Sequence, residues 1–143
     1  MVLNVDFAPT LLDMAGVAVP SSMQGRSWKP LLTGTTPKDW RTSFFYEYFF
    51  EATMGPPTIL AVRTESAKLI KYPGHDDWTE LFDLRADPFE TNNLAKSPNH
   101  RALLEQMSAE YERQSKAVEF RIPDYADRPG ETPPPARRNN RRR

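Results

Sequence analysis

Apolar residues change their spacing several times along this chain, and each spacing predicts an element. Between Asp6 and Gly16, Phe7, Leu11, Leu12 and Ala15 fall on one helical face, Pro9 sits in the first turn where its missing donor is harmless, and Gly16 suits a C-terminal cap. Asp6 stands where an N-cap is expected, Val17 to Arg26 reads as loop, and Ser27 is placed to cap a short turn through Leu31 and Leu32 that stops at Gly34. From Thr42 to Glu51 the period drops to two. Phe44, Tyr46, Tyr48 and Phe50 alternate with Phe45, Glu47, Phe49 and Glu51, which predicts a strand covered at least in part on both faces. Met54-Gly-Pro-Pro57 breaks it, and Ile59 to Thr64, Lys68 to Tyr72 and Leu81 to Leu84 follow as three more strands. Their spacing predicts an antiparallel meander.

After Ser97-Pro98, the residues Leu103, Leu104, Met107, Tyr111 and Val118 return to three- and four-residue steps and predict the longest helix. About twenty residues at roughly 1.5 Å each span about 30 Å, enough to cross a four-stranded sheet. One apolar stripe laid on one sheet face is a complete two-layer arrangement, so the expected class is α+β. Between the last strand and this helix, Asp87-Pro88-Phe89-Glu90 offers a capping carboxylate, a proline and a glutamate in capping-box order, which predicts a helical turn starting there.

The zero formal net charge hides a split. Residues 1–120 hold twelve Lys and Arg against sixteen Asp and Glu, whereas residues 121–143 hold seven Arg against three acids. From Ile122 the chain has five prolines, no aliphatic period and a closing Ala136-Arg-Arg-Asn-Asn-Arg-Arg-Arg143, so a disordered tail is expected. Five of the last seven residues are Arg, which would attract phosphates, yet no aromatic lies among them to stack a base. Nucleic acid is therefore not the expected partner. There is no cysteine, which removes disulfides, thiolate nucleophiles and thiolate metal sites. No apolar run of about 18 residues is present, and Met1-Val-Leu-Asn lacks the form of a signal peptide, so neither a membrane span nor a leader is expected here.

Four segments in order carry a resemblance: Val5-Asp-Phe-Ala-Pro-Thr-Leu-Leu-Asp-Met-Ala-Gly16, Gln24-Gly-Arg-Ser-Trp-Lys-Pro-Leu-Leu-Thr-Gly34, the pair Ala61-Val-Arg-Thr64 and Lys68-Leu-Ile-Lys-Tyr72, and Thr79-Glu-Leu-Phe-Asp-Leu-Arg-Ala-Asp-Pro-Phe-Glu-Thr-Asn-Asn-Leu94. Over roughly residues 4 to 118 the chain resembles the C-terminal region of a sulfatase, of the arylsulfatase-like branch of the alkaline phosphatase superfamily. The resemblance implies that residues 1–40 are helical segments from the edge of a large α/β domain, that 41–120 form the small C-terminal domain, and that 121–143 are a tail. At 143 residues the chain is too short for a whole enzyme of that kind, so a fragment partnered by a missing N-terminal sulfatase domain is expected. The complete enzyme would use calcium and take a sulfated small molecule or glycan. The family is commonly periplasmic, secreted or lysosomal.

The same resemblance sets what to look for chemically. Family members attack sulfur with a formylglycine made from Cys or Ser in a C/S-x-P-x-R motif, and no serine here is followed two positions later by proline. No catalytic residue is expected in the chain, and it should be inactive alone. Asp76-Asp77 is the only adjacent acidic pair and lacks further oxygen ligands at useful spacing, so no metal ligand is assigned. What remains is substrate binding, since the small domain's loops help wall the cleft in the family. His75, Asp76 and Trp78, in the loop after the third strand, bring an imidazole, a carboxylate and an indole that could hydrogen-bond to and stack on a sugar ring. Glu47 and Glu51 are weighed beside them. Arg63 and Lys68 suit an anion or, more simply, cross-strand pairing with Glu65, Glu80 or Asp83. The rival readings are a non-enzymatic α+β interaction module and weak nucleic-acid binding through the basic tail.

Overall fold

The computed structural model describes residues 1–49 and 57–123, which divide into two compact units, Met1–Thr42 and the part from Ser43 onward. Phe50, Glu51, the Met54-Gly-Pro break and the tail from Asp124 lie outside the described residues.

In the first unit a short 3-10 turn, Asn4–Asp6, runs into α1 (Phe7–Met14), and α2 (Lys29–Leu32) follows a long loop. Gly16, at φ +71°, ends α1: its N–H reaches the Asp13 carbonyl (3.2 Å) and the Val17 N–H reaches that of Leu12 (2.9 Å), the two bonds of a Schellman cap. Asp6 holds the N-cap position but does not cap α1. Its carboxylate instead accepts the Leu3 N–H (2.8 Å), the Arg26 N–H (2.9 Å) and both terminal nitrogens of Arg41. The side chain is 0% exposed, and although burial alone would raise its pKa, Arg41 and the two backbone donors hold it below the usual carboxylate range.

The Gln24-Gly-Arg-Ser27 stretch now has a steric reason. A Cβ at Gly25 would stand 1.9 Å from the Val5 carbonyl oxygen, so only glycine brings the Arg26 N–H to Asp6. Ser27 does not occupy the cap of α2, which falls at Trp28; its hydroxyl donates to Asp13 and receives the Lys29 N–H at 3.3 Å. The helix α1 buries Pro9 and Thr10, and much of its apolar side stays open: Phe7 is 57%, Leu11 63% and Met14 50% exposed.

The second unit is the predicted meander. Strands β1 (Ser43–Tyr48), β2 (Ile59–Thr64), β3 (Ala67–Lys71) and β4 (Glu80–Asp83) lie in sheet order β1-β2-β3-β4, every neighbour antiparallel. Register fixes two rows of side chains. Phe45 pairs with Val62, Val62 with Leu69 and Leu69 with Leu81, and this row faces α3 (Arg101–Ala117), which a 3-10 turn at Pro98–His100 introduces. Met107, Tyr111, Leu103 and Leu104 descend from α3 onto it, with Leu94 and Phe120 closing the ends. Phe45 meets Tyr111 at 5.2 Å and Phe120 at 5.1 Å between ring centroids. The fold is α+β, a four-stranded antiparallel sheet packed by one long helix.

Two local expectations give way to other solutions. No helical turn starts at Asp87, whose carboxylate accepts the Asn92 N–H (2.8 Å) and the Thr91 hydroxyl (3.2 Å), while Glu90 adopts φ +56° and pairs with Lys68. A side chain that satisfies its own downstream backbone competes with helix nucleation, and here it wins. Lys68 therefore pairs with Glu90 and not with Glu65, Glu80 or Asp83. The outer edge of β4 is closed by Asn93 and Leu94, with the Leu81 N–H donating to Asn93 Oδ1 (3.0 Å) and the Leu94 N–H to the Leu81 carbonyl (2.8 Å). The aromatic strand is covered in part on both faces, as its alternation predicts: Phe44, Phe45 and Tyr48 are half-buried and Tyr46 is exposed.

Candidate functional site

The connection from β3 to β4 is built on two devices. Gly74, at φ +83°, turns the chain, and the His75 N–H returns to the Tyr72 carbonyl at 2.9 Å. A single 3-10 turn, Asp76–Trp78, follows, in which the Trp78 N–H reaches the His75 carbonyl (3.0 Å) and Thr79 closes on the Asp76 carbonyl through its hydroxyl (2.8 Å). Asn93 Nδ2 then donates to the Thr79 carbonyl at 3.1 Å, which ties the far end of the loop to the segment covering β4.

This backbone brings His75 and Trp78 together. Their rings stack at 4.0 Å between centroids with planes 9° apart, and Trp78 also meets Tyr72 edge to face at 5.8 Å. Trp78 nevertheless remains 44% exposed. The Tyr72 hydroxyl donates to Glu80 Oε1 at 2.7 Å; burial, then Glu80, pushes its pKa up to about 12, so it stays a neutral donor. Asp76 sits in the same turn, and its part in the fold is played by its carbonyl while the side chain is exposed. The structure thus shows a ring cluster of Tyr72, His75 and Trp78 beside exposed carboxylates.

Glu47 is not part of this cluster. It alternates with Tyr46 and Tyr48 in the row of Ser43 and Phe45 on the helix side, whereas Glu80 pairs with Ile70 in the opposite row. Partial burial raises its carboxyl pKa above the ordinary value. Glu51 lies outside the described residues. Arg63 stands directly across from Lys68, and the Ser97 hydroxyl and His100 Nδ1 lie 2.8 Å apart in a local bond that explains that histidine without chemistry. Sequence reasoning missed Tyr72 and Glu80. The signal was available: with Ile70 opposite Glu80, Tyr72 is two residues further along the same row and becomes the diagonal neighbour of Glu80.

Sulfatases imply a metal ion in the full enzyme, and the residues described here do not fit one. Among them no group of three or more His, Cys, Asp or Glu is arranged to hold a cation, and Asp76 and Asp77 stand in their turn without further ligands. Among the described residues no helix is long and apolar enough to cross a membrane.

Comparison with known proteins agrees with this architecture. A family profile described as N-sulphoglucosamine sulphohydrolase, C-terminal, matches residues 1–117. An N-acetylglucosamine-6-O-sulfatase of Bacteroides thetaiotaomicron is 46% identical over 95 residues, covering 64% of this chain and 17% of that protein. The multifunctional alkaline phosphatase superfamily protein PehA of Trinickia caryophylli is 29% identical over 137 residues, covering 87% of this chain and 25% of PehA. Among solved structures, a protein in complex with its substrate D-glucosamine-2-N,6-O-disulfate superposes with a TM-score of 0.77 at 36% identity, over 87% of this chain and 26% of the other. The fold is therefore the C-terminal region of a sulfatase in the alkaline phosphatase superfamily. The chain belongs to the N-sulphoglucosamine sulphohydrolase C-terminal family. It spans about a sixth to a quarter of the length of the relatives it matches.

Proposed function

We propose that this chain is the lobe that completes the fold and substrate cleft of a sulfuric ester hydrolase, working with a large sulfatase domain that supplies the nucleophile and the metal. The observation that carries this reading is the open side of α1, where Phe7, Leu11 and Met14 present an apolar surface in a chain that spans only a fraction of its relatives. A large domain seated on that surface gives those side chains the cover their own unit does not. Residues 1–42 then belong with the edge of the large domain, and the part from Ser43 is the small domain that brings the Tyr72–Glu80 loop to the cleft. His75 and Trp78 offer a stacking surface there, and Asp76 a hydrogen-bond acceptor. In this reading the calcium ion is held by the large domain, and the described residues carry no step of the reaction.

The relatives named for N-acetylglucosamine 6-O-sulfate and the neighbour solved with a glucosamine disulfate support a sulfated glucosamine as the substrate class. Purified chain incubated with p-nitrophenyl sulfate or glucosamine 6-sulfate, with and without calcium, is expected to release no sulfate above buffer. Release would overturn the division of labour. Co-expression with the N-terminal remainder of the Bacteroides thetaiotaomicron relative should yield a complex that co-purifies, and Leu11→Glu should abolish it; a remainder that stays soluble and ignores the wild-type chain would count against the partner.

A further inference from the structure

The two outer edges of the sheet are finished differently. The edge of β4 is closed from within the chain, by Asn93 Oδ1 on the Leu81 N–H at 3.0 Å and by the Leu94 N–H on the Leu81 carbonyl at 2.8 Å. The edge of β1 is open: its strand neighbour is β2, and among the described residues no backbone hydrogen bond beyond that ladder reaches Ser43–Tyr48. The strand has neither proline nor lysine to blunt it, and its one charge is Glu47. That carboxylate has no counter-charge. Among the described residues no donor or cation meets it, and partial burial raises its pKa. Lys71 lies in its row, across Leu60, but holds its Nζ 4.4 Å from the centroid of the Tyr111 ring. The complementary group stands at the other end of β1 on the same side of the sheet. Arg113 reaches Ser43 with Nη2 at 3.2 Å, its side chain is 62% exposed, and its Nη1 has no partner among the described residues. Ser43 and Glu47 are four residues apart, about 13 Å of extended strand, so Glu47 and Arg113 do not meet within one chain.

We propose that β1 pairs antiparallel with β1 of a second copy about a two-fold axis at Phe45, so that Glu47 of each copy meets Arg113 of the other. Residues opposite each other in an antiparallel pair share a face, so the axis must centre on a residue of the strand. Centred on Glu47, it sets two carboxylates against each other. Centred on Tyr46, it sets Glu47 against Phe45. Centred on Phe45, it sets Glu47 against Ser43, beside Arg113, and Phe44 against Tyr46, an aromatic pair that covers a tyrosine now 46% exposed. Each contact then occurs twice by symmetry, and the two four-stranded sheets become one with both α3 helices on the same side. The pairing stands apart from the division of labour proposed above, since it needs neither a large domain nor a substrate.

The test uses the whole chain carrying Leu11→Glu, so that the open side of α1 does not drive association. Sedimentation should find a monomer–dimer equilibrium, and hydrogen exchange should slow with rising concentration in β1 and not in β4. Glu47→Arg and Arg113→Glu each set like charges across both contacts, and each alone should be monomeric. Mixed in equal amounts, the two variants restore opposite charges at both contacts and should dimerise. Glu47→Gln should weaken the dimer about tenfold, the loss of two surface ion pairs. A chain that stays monomeric at every concentration, or a Glu47→Arg dimer as tight as its parent, would overturn the proposal. Hydrogen exchange decides even where Arg113→Glu disturbs Glu110 and Ser43, because it needs no change at the interface. Protection of β1 that appears only on adding the N-terminal remainder of the Bacteroides thetaiotaomicron relative would give the edge to the large domain and sink the self-pairing.

Discussion

The two units hold their shapes by opposite means. In the part from Ser43, Thr58 is fully buried, but most of the fully buried side chains are apolar, Val62, Leu69, Leu81 and Met107, and the helix covers that apolar row. In Met1–Thr42 the fully buried side chains are Asp6, Pro9 and Thr10, while Phe7, Leu11 and Met14 face solvent. Thr10 donates to the Asp6 carbonyl at 2.6 Å and accepts the Trp28 N–H at 3.1 Å, so even the helix's inner side is organised by hydrogen bonds. A buried ion pair adds little net stability compared with an apolar replacement, yet it dictates one geometry because every alternative strands a charge. The first unit is thus specified by a polar hub and leaves its apolar surface open. The second spends its apolar surface on itself.

Exchanging the damage between the units tests this contrast most strongly. Asp6→Ala leaves the Arg41 guanidinium and two backbone donors without their acceptor, and breaking a buried pair from one side costs about 3–5 kcal/mol. Hydrogen exchange should show protection lost across Met1–Thr42 and retained in the sheet. Leu69→Ala should do the reverse, costing about 2–5 kcal/mol in the sheet unit for the lost burial and the cavity. A uniform loss of protection in both variants would mean that the units do not differ in the way described.

A smaller effect distinguishes the units by pH. At the start of β1 the Ser43 hydroxyl bonds with Glu110 and Gln114, and Arg113 reaches Glu110 at 2.6 Å and Ser43 at 3.2 Å. The Arg113 hydrogen bond, opposed by burial and helped by Ser43 and Gln114, lowers the Glu110 pKa to about 2 from an ordinary 4.5. A folded-state pKa below the unfolded value means stability that is present above the unfolded value and is lost as pH falls through the folded one. The melting temperature of the sheet unit should therefore decline between about pH 5 and pH 2 more steeply in the wild type than in Glu110→Gln. Parallel curves would remove Glu110 as a source of acid sensitivity. Asp6 has a depressed pKa too, so reporters in the first unit are expected to fall in acid in both proteins.

What could be read from the residues follows the same division. The meander and α3 were legible because alternation and helical spacing answer to a core contained within the unit, and Leu103, Leu104, Met107 and Tyr111 land where the period puts them. The loop residues His75, Asp76 and Trp78 were legible as types but not as an arrangement, since ring stacking depends on the turn at Gly74 and on Tyr72, which belongs to strand register. Asp6 was read as a cap because capping is a local rule. Its actual partners, Arg26 and Arg41, lie 20 and 35 residues away, and no local pattern announces them. The same holds at Asp87, where a local capping signature lost to a loop anchored by Lys68 and Glu90, 22 residues apart.

The open face of α1 offers the smallest effect on stability and the sharpest reading of what the first unit is for. Phe7, Leu11 and Met14 are spaced to share one side of the helix, and a side chain that already meets solvent contributes little to the fold that carries it. Leu11→Glu should therefore leave the melting transition of the first unit within about 0.5 kcal/mol of the wild type, the range of ordinary surface substitutions. Its effect belongs to association. Light scattering should find the wild-type chain self-associating with concentration, because contiguous apolar surface of this kind is covered by whatever comes near, and should find the variant shifted toward the monomer. A wild-type chain that stays monomeric at every concentration, or a variant that unfolds the first unit, would show that this face is settled within the chain after all.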